Sequence, residues 1–184
     1  MIDRRTLLSA LASAGFGQAA RSETLPRAAA SGLPAGAKVP SFSLLYECKV
    51  TLGRTLDFGR TVEGRRRVIP ITGGVFEGPR LRGTVVNEGA DWNLSRNDGA
   101  GSADAAYYLR TDDQVLIRIV NRGVGGAAPV SNPAAAERFL MFTHAAFEAP
   151  IGKYDWLNRG MFFGTLSVRR DLKDAVLIRV FQLV

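Results

Sequence analysis

From Pro40 to the C terminus, apolar and polar residues alternate with a period close to two, and clusters of Gly, Asn, Asp and Pro interrupt them at short intervals. Successive side chains of an extended strand point to opposite faces, so this pattern commits the chain to many short strands, each with one buried face. In the first of them Phe42, Leu44, Tyr46, Cys48 and Val50 share a face. The segment from Arg66 to Thr72 is β-branched around Pro70, which places an edge or a bulge there. Gly73-Gly74 and Gly78-Pro79 bracket a sharp change of direction, and Leu81 to Val86 runs extended to a turn at Asn87-Glu88-Gly89. Asp91 to Ser95 reads as a short strand that ends at the hairpin signal Asn97-Asp98-Gly99.

The next pair, Asp104 to Arg110 and Val115 to Arg122, is joined by Thr111-Asp112-Asp113-Gln114. Along its first member Asp104, Ala106, Tyr108 and Arg110 share one face, and Ala105, Tyr107 and Leu109 the other. Gly123 to Pro133 reads as a small-residue loop. Ala134 to Phe147 reads as a helical turn started by Asn132-Pro133 that gives way to a strand near Phe139. Met161 to Arg169 and Ala175 to Val184 are the last two strands, around the charged turn 170–174. Many strands and almost no helix imply an all-β fold: a single antiparallel β-barrel of about eight strands with at most one or two short helical turns. Such a barrel holds side chains or one small ligand.

A chain of 184 residues, 46% hydrophobic, is about one domain and closes a core without disulfides. The single cysteine, Cys48, excludes an internal disulfide and cysteine-built metal clusters, and its place on an apolar strand face marks it as a small buried hydrophobe. The net charge of +7 falls to +5 when residues 1–30 are set aside. The only dense basic run, Arg65-Arg66-Arg67, has no interleaved aromatics and reads as a solvated strand end, so no nucleic-acid partner is expected. No phosphate-cradling loop, dinucleotide fingerprint or nucleophile elbow is present, and the one histidine, His144, rules out a multi-histidine metal site. No cofactor and no metal are therefore expected.

Several segments together resemble one family. They are Arg67 to Gly74, Phe76 to Gly83, Gly89-Ala90-Asp91-Trp92, Leu109 to Asp113, Asn121-Arg122-Gly123 and Tyr154 to Arg159. In order, and over nearly all of residues 41–184, they resemble the domain-of-unknown-function 3237 family. The resemblance implies a small β-barrel and cofactor-free chemistry on small aromatic acids, notably decarboxylation of lignin-derived phenylcoumaran-type compounds. The chain departs from the family pattern at Ala106, where a basic residue is frequent, and at Phe142, where an arginine often precedes the threonine. A different ligand follows if either arginine holds the family's substrate.

The residues left for chemistry are carboxylates, arginines and aromatics. Asp104 and Glu148 are the candidate acid/base groups, since a carboxyl desolvated beside aromatics has a raised pKa and acts as a general acid. Arg82, Arg110 and Arg159 are candidate carboxylate clamps, because a guanidinium grips a carboxylate with two parallel hydrogen bonds. Arg82 and Arg159 are expected near Asp104. Trp92, Tyr107 and Trp156 are candidate walls for an aromatic ring, and Asp91, Asn121, Thr143 and Asn158 candidate polar contacts. Each has a structural alternative: Asp91 as a turn former, Asp104 and Arg110 in a cross-strand ion-pair network, the tryptophans as core. The function expected is a cofactor-independent lyase, decarboxylase-like, or an isomerase, acting on a small aromatic carboxylate. The alternative is a periplasmic carrier barrel, which needs the same pocket but no proton-transfer group. A membrane barrel is disfavoured, because the strands lack matched aromatic girdles.

Residues 1–30 read as a cleavable twin-arginine export signal. Arg4-Arg5 precede a short apolar stretch, Leu7 to Phe16, with small residues after it. Residues 31–40 are a flexible spacer, and residues 41–184 the barrel domain. The expected location is periplasmic or secreted, with membrane contact only during export and cleavage after Ala20 or Ala30. Replacing Arg4 and Arg5 by lysines should leave the precursor in the cytoplasm, as read by cell fractionation and immunoblotting. Normal periplasmic recovery of the Lys-Lys variant would rule the signal out.

Overall fold

The computed structural model describes residues 36–125 and 137–184. Nine strands are assigned: β1 (Phe42–Leu52), β2 (Leu56–Thr61), β3 (Gly64–Glu77), β4 (Gly83–Arg96), β5 (Gly101–Thr111), β6 (Leu116–Gly125), β7 (Glu137–Glu148), β8 (Phe162–Arg169) and β9 (Ala175–Leu183). Consecutive strands from β2 to β9 pair antiparallel, and β1 pairs with β9 and β3 rather than with β2. That last pairing closes an eight-stranded barrel and leaves β2 as a short hairpin partner on the extension of β3. Closure removes the open edges that would otherwise template pairing with another chain.

The interior follows the alternation. On β5, Ala103, Tyr107 and Leu109 are buried, and on β6, Ile117, Ile119 and Asn121. Bulges modify the pattern elsewhere. A register shift between Leu44 and Tyr46 turns both Leu45 and Tyr46 inward and leaves Phe42 and Leu44 exposed, which corrects the single apolar face expected for β1. β3 and β4 are longer than their sequence suggests. β3 continues through Gly73-Gly74, and β4 runs unbroken through Asn87-Glu88-Gly89 where a turn was expected. The irregularities between Pro70 and Gly74 and between Val85 and Gly89 bend these strands without ending them. Gly74 has a φ of +141°, and a Cβ there would lie 2.0 Å from the Lys49 carbonyl oxygen, so the bend requires glycine. β6 extends to Gly125, and β7 is already extended at Glu137. The remainder of the expected loop and helical turn, like residues 1–35, lies outside the described residues.

One end of the barrel is plugged. The β7–β8 connection forms a 3-10 turn, Asp155–Arg159, whose Leu157 is buried in the same core as Tyr154 and Leu81. Asn158 clamps this connection. Its Oδ1 accepts from the Ala149 N–H at 2.7 Å, and its Nδ2 donates to the Ala149 carbonyl at 2.9 Å. Asp113, in the β5–β6 turn, receives hydrogen bonds from Lys153, Tyr154 and Thr111 at 2.7, 2.9 and 2.6 Å. Lys153, then Thr111 and Tyr154, hold its carboxyl well below the usual carboxylate range.

Cys48 lies fully buried on β1, opposite Phe76 of β3 and Ile178 of β9. Burial pushes its thiol up to about 12. The native protein at pH near 8 is therefore expected to resist thiol reagents, with labelling only at the rate of global unfolding. Rapid stoichiometric labelling without denaturant would contradict the burial.

Candidate functional site

Inside the barrel, toward the end away from the plug, is a cavity of about 140 Å³. It exists because the strands carry small residues there: Ala103 and Ala105 of β5 face inward, and Gly123 of β6 lies beside Ala103. Its walls are aliphatic, among them Val50, Ile69, Ile71, Val176 and Ile178. Four polar side chains break this lining: Asp91, Asn93, Tyr107 and Asn121. Asp91 and Asn121 both pair with Ala105 in the ladder, from opposite sides. Their Cα atoms are thus two strands apart, about 10 Å, and the small Ala105 side chain leaves the space between them open. Tyr107 lies one inward position deeper.

Asp91 accepts from the Asp104 backbone N–H at 2.8 Å and from Asn93 Nδ2 at 3.3 Å. Arg67 Nη2 donates to Asn93 Oδ1 at 2.8 Å and to Ser95 Oγ at 2.8 Å, so a chain runs from Arg67 through Asn93 to Asp91. Desolvation raises the Asp91 pKa. The two hydrogen bonds it accepts and the charge of Arg67 oppose that shift, while the charge of Asp104 adds to it. Burial has the largest effect, so the carboxyl keeps its proton to higher pH than an exposed aspartate. Tyr107 Oη and Asn121 Oδ1, on residues that line the cavity, are buried without a hydrogen-bond partner, as are Tyr46 Oη, Thr143 Oγ1 and Arg67 Nε elsewhere in the barrel. Each such group costs about 1–3 kcal/mol if it stays unpaired, and the two that belong to lining residues face a space able to receive polar atoms.

The candidates read from the sequence divide between the two sides of the wall. Asp91, Tyr107 and Asn121 line the cavity, and Thr143 is buried on β7. Asp104 faces outward and pairs with Arg122 at 2.8 Å, and Glu148 is exposed and pairs with Arg118 at 3.3 Å. The expected cluster of Arg82 and Arg159 around Asp104 does not form, because Arg82 is engaged with Asp112 and Arg159 with Asp155. Arg110 lies on the outward parity of β5, opposite Leu116 and Thr84. Trp92 is 45% exposed on the outer wall, in a shallow groove with Asp104, Arg122 and His144. Trp156 and Asn158 belong to the plug. Trp156 lies under the Arg80 guanidinium, 3.7 Å from the ring centroid, and packs against Phe162. Ala106 and Phe142, the two departures from the family pattern, are also on the outward parity.

Sequence reasoning missed Arg67 and Asn93. Arg65 and Arg66 do behave as a solvated strand end, paired with Asp57 and Glu63. Arg67 shares the parity of Ile69 and Ile71, and counting by twos back from those residues would have turned it inward. Among the described residues no group of three or more His, Cys, Asp or Glu is placed to hold a metal ion.

Fold and site together define a small closed β-barrel with a half-buried acid in a mostly aliphatic cavity. A family profile described as "Protein of unknown function (DUF3237)" matches residues 40–183, and the chain belongs to that family. A UPF0311 protein of Rhodopseudomonas palustris (strain TIE-1) is 28% identical over 155 residues, spanning 79% of this chain and 99% of that protein. The hydroalkoxylation enzyme phnH of Penicillium herquei is 26% identical over 126 residues, 68% of this chain and 74% of that one. The crystal structure of a beta-barrel like protein from Acinetobacter baumannii AYE superposes with a TM-score of 0.69 at 30% identity, covering 82% of this chain and all of that one.

The raised pKa of Asp91 has a sign that stability measurements read. The unfolded carboxyl titrates near about 3.9, below the folded one. Between the two values the folded state holds more protons, and stability falls as pH rises through the folded pKa. In chemical denaturation between about pH 4 and 7, Asp91→Asn should show a flatter decline of unfolding free energy than the wild type. Parallel curves would mean that Asp91 titrates as an exposed side chain does.

Proposed function

We propose that the barrel interior is a cofactor-independent acid/base site, and that the protein acts as a lyase or isomerase on a small aromatic molecule with Asp91 as the proton-transfer residue. The observation that carries this reading is Asp91 itself, a carboxyl desolvated among aliphatic side chains and fixed by two hydrogen bonds. Such a group is neutral at higher pH than an exposed aspartate and is oriented to hand its proton to a bound substrate.

Kinship with a hydroalkoxylation enzyme supports the reading. Hydroalkoxylation adds an alcohol O–H across a carbon–carbon double bond. Within one molecule that is an isomerisation, and the proton must reach carbon. Decarboxylation ends in the same event: CO2 departs, its bonding pair stays on carbon, and a proton takes up that pair. Both reactions need one well-placed acid and a site with little water. An aryl carboxylic acid would meet no cation among the described cavity-lining residues, so its carboxylate would have to sit toward Arg67, whose Nε is unpartnered. The proposal locates the activity in the periplasm on the strength of Arg4-Arg5 alone.

The test is incubation of the purified protein with aryl carboxylic acids and unsaturated phenols in D2O, with products followed by mass spectrometry. One solvent deuterium on a product carbon is expected. Asp91→Asn should lower turnover by about 10²–10⁴-fold, while Asp104→Asn and Glu148→Gln retain it. Compounds that bind and are recovered unchanged would make the protein a carrier barrel and remove the enzymatic reading.

A further inference from the structure

The unpartnered polar atoms carry information about what enters the cavity. A volume of about 140 Å³ is close to that of an apolar protein cavity that takes up benzene, about 150 Å³, so it holds a single six-membered ring. Two of the orphaned atoms belong to lining residues that are almost wholly buried, Asn121 Oδ1 at 2% exposure and Tyr107 Oη at 1%. Asn121 Oδ1 only accepts, so its partner must bring an O–H or N–H. The phenol of Tyr107 both donates and accepts, and its pKa is pushed up by burial, so it stays neutral. A hydroxyl satisfies both groups at once by donating to one and accepting from the other. A carboxylate cannot donate to Asn121, and it would be buried with no cation among the described lining residues to offset the loss of hydration, a penalty of several kcal/mol.

We infer that the molecule seated in this barrel is a phenol-like ring whose buried end is a neutral hydroxyl, held between Asn121 and Tyr107 with its ring on the aliphatic wall. The inference rests on the reading of the cavity as the site, but concerns binding rather than turnover. In that pose the ring occupies the gap above Ala105. The hydroxyl lies on the Asn121 side, and the ring carbons lie toward Asp91 across about 10 Å of Cα separation. A hydroxyl raises electron density at the ortho and para carbons, and the para carbon, opposite the hydroxyl, is the one turned toward the acid.

The experiment compares phenol, benzoate and benzene as probes of the full-length protein at pH 7, by isothermal titration calorimetry and thermal shift. Phenol should bind more tightly than benzene, by about tenfold for the hydrogen bonds gained, and benzoate should bind more weakly than either. Tyr107→Phe, which removes one oxygen atom, should lower phenol affinity about three- to tenfold and leave benzene binding unchanged. Asn121→Leu should do the same, and Tyr107→Phe remains informative if that variant does not fold. Equal affinities for phenol and benzene, tighter binding of benzoate, or phenol binding untouched by Tyr107→Phe would each overturn the inference. None of these readouts uses turnover. Phenol binding with no reaction in the D2O assay would therefore sink the enzymatic reading alone.

Discussion

A sheet closed on itself has an inside, and eight strands give that inside only enough width for side chains or one small molecule. Every other property of this protein depends on how that space is divided. Toward the plugged end it is filled by large residues: Tyr46, Phe76, Leu109, Ile117 and Phe162 are all 2% exposed or less. Toward the other end the inward positions of β5 shrink to Ala105 and Ala103, with Gly123 beside them. The missing side-chain volume there is the cavity. Asp91 is accommodated only because of that gap, and its titration is perturbed because the remaining walls are aliphatic.

The polar chain from Arg67 through Asn93 to Asp91 explains how a carboxyl is tolerated in such a place. An amide pinned at its oxygen by a guanidinium has only its N–H groups left to offer, and Asn93 offers one to Asp91 and one to the Ser102 carbonyl. The arginine thereby orients the acid without touching it, and the positive charge stays one residue away. A direct ion pair would have lowered the Asp91 pKa and left a permanent anion. The relayed arrangement leaves desolvation the stronger influence and the carboxyl able to carry a proton.

Much of this was legible before any coordinates, and the exceptions have physical reasons. Alternation along Asp104–Arg110 assigns its two faces correctly, and the fold class follows from repeating such segments. Which face is inward is also readable there, since Tyr107 and Leu109 are larger and more apolar than Ala106 and Arg110. Asp104 carries the acidic charge of this segment, but the ladder places it outside against Arg122. Asp91 and Asn121 are 30 positions apart in sequence, and only the cross-strand register through Ala105 brings them around one cavity. Local alternation cannot supply such a register. The bulges in β1, β3 and β4 are illegible for a related reason. The register moves by one residue between Leu44 and Tyr46 and between Pro70 and Gly74, and by two between Val85 and Gly89, and nothing in the local pattern marks these shifts except glycines at positions such as Gly74.

The division of the barrel also separates the contacts that stabilise it from the groups proposed to act on a ligand. At one end Asp113 ties the β5–β6 turn to the β7–β8 connection, Asn158 fastens that connection to Ala149, and Arg80 of the β3–β4 connection stacks on Trp156. At the other end the lining residues Tyr107 and Asn121 carry buried polar atoms without partners, and a carboxyl is desolvated. A protein optimised only for stability would fill the cavity with leucine and remove those groups, because replacing an unsatisfied buried polar atom with a well-packed apolar one is favourable. Tyr107 and Asn121 meeting in one cavity with Asp91 is the observation on which the proposal of a ligand that completes them stands.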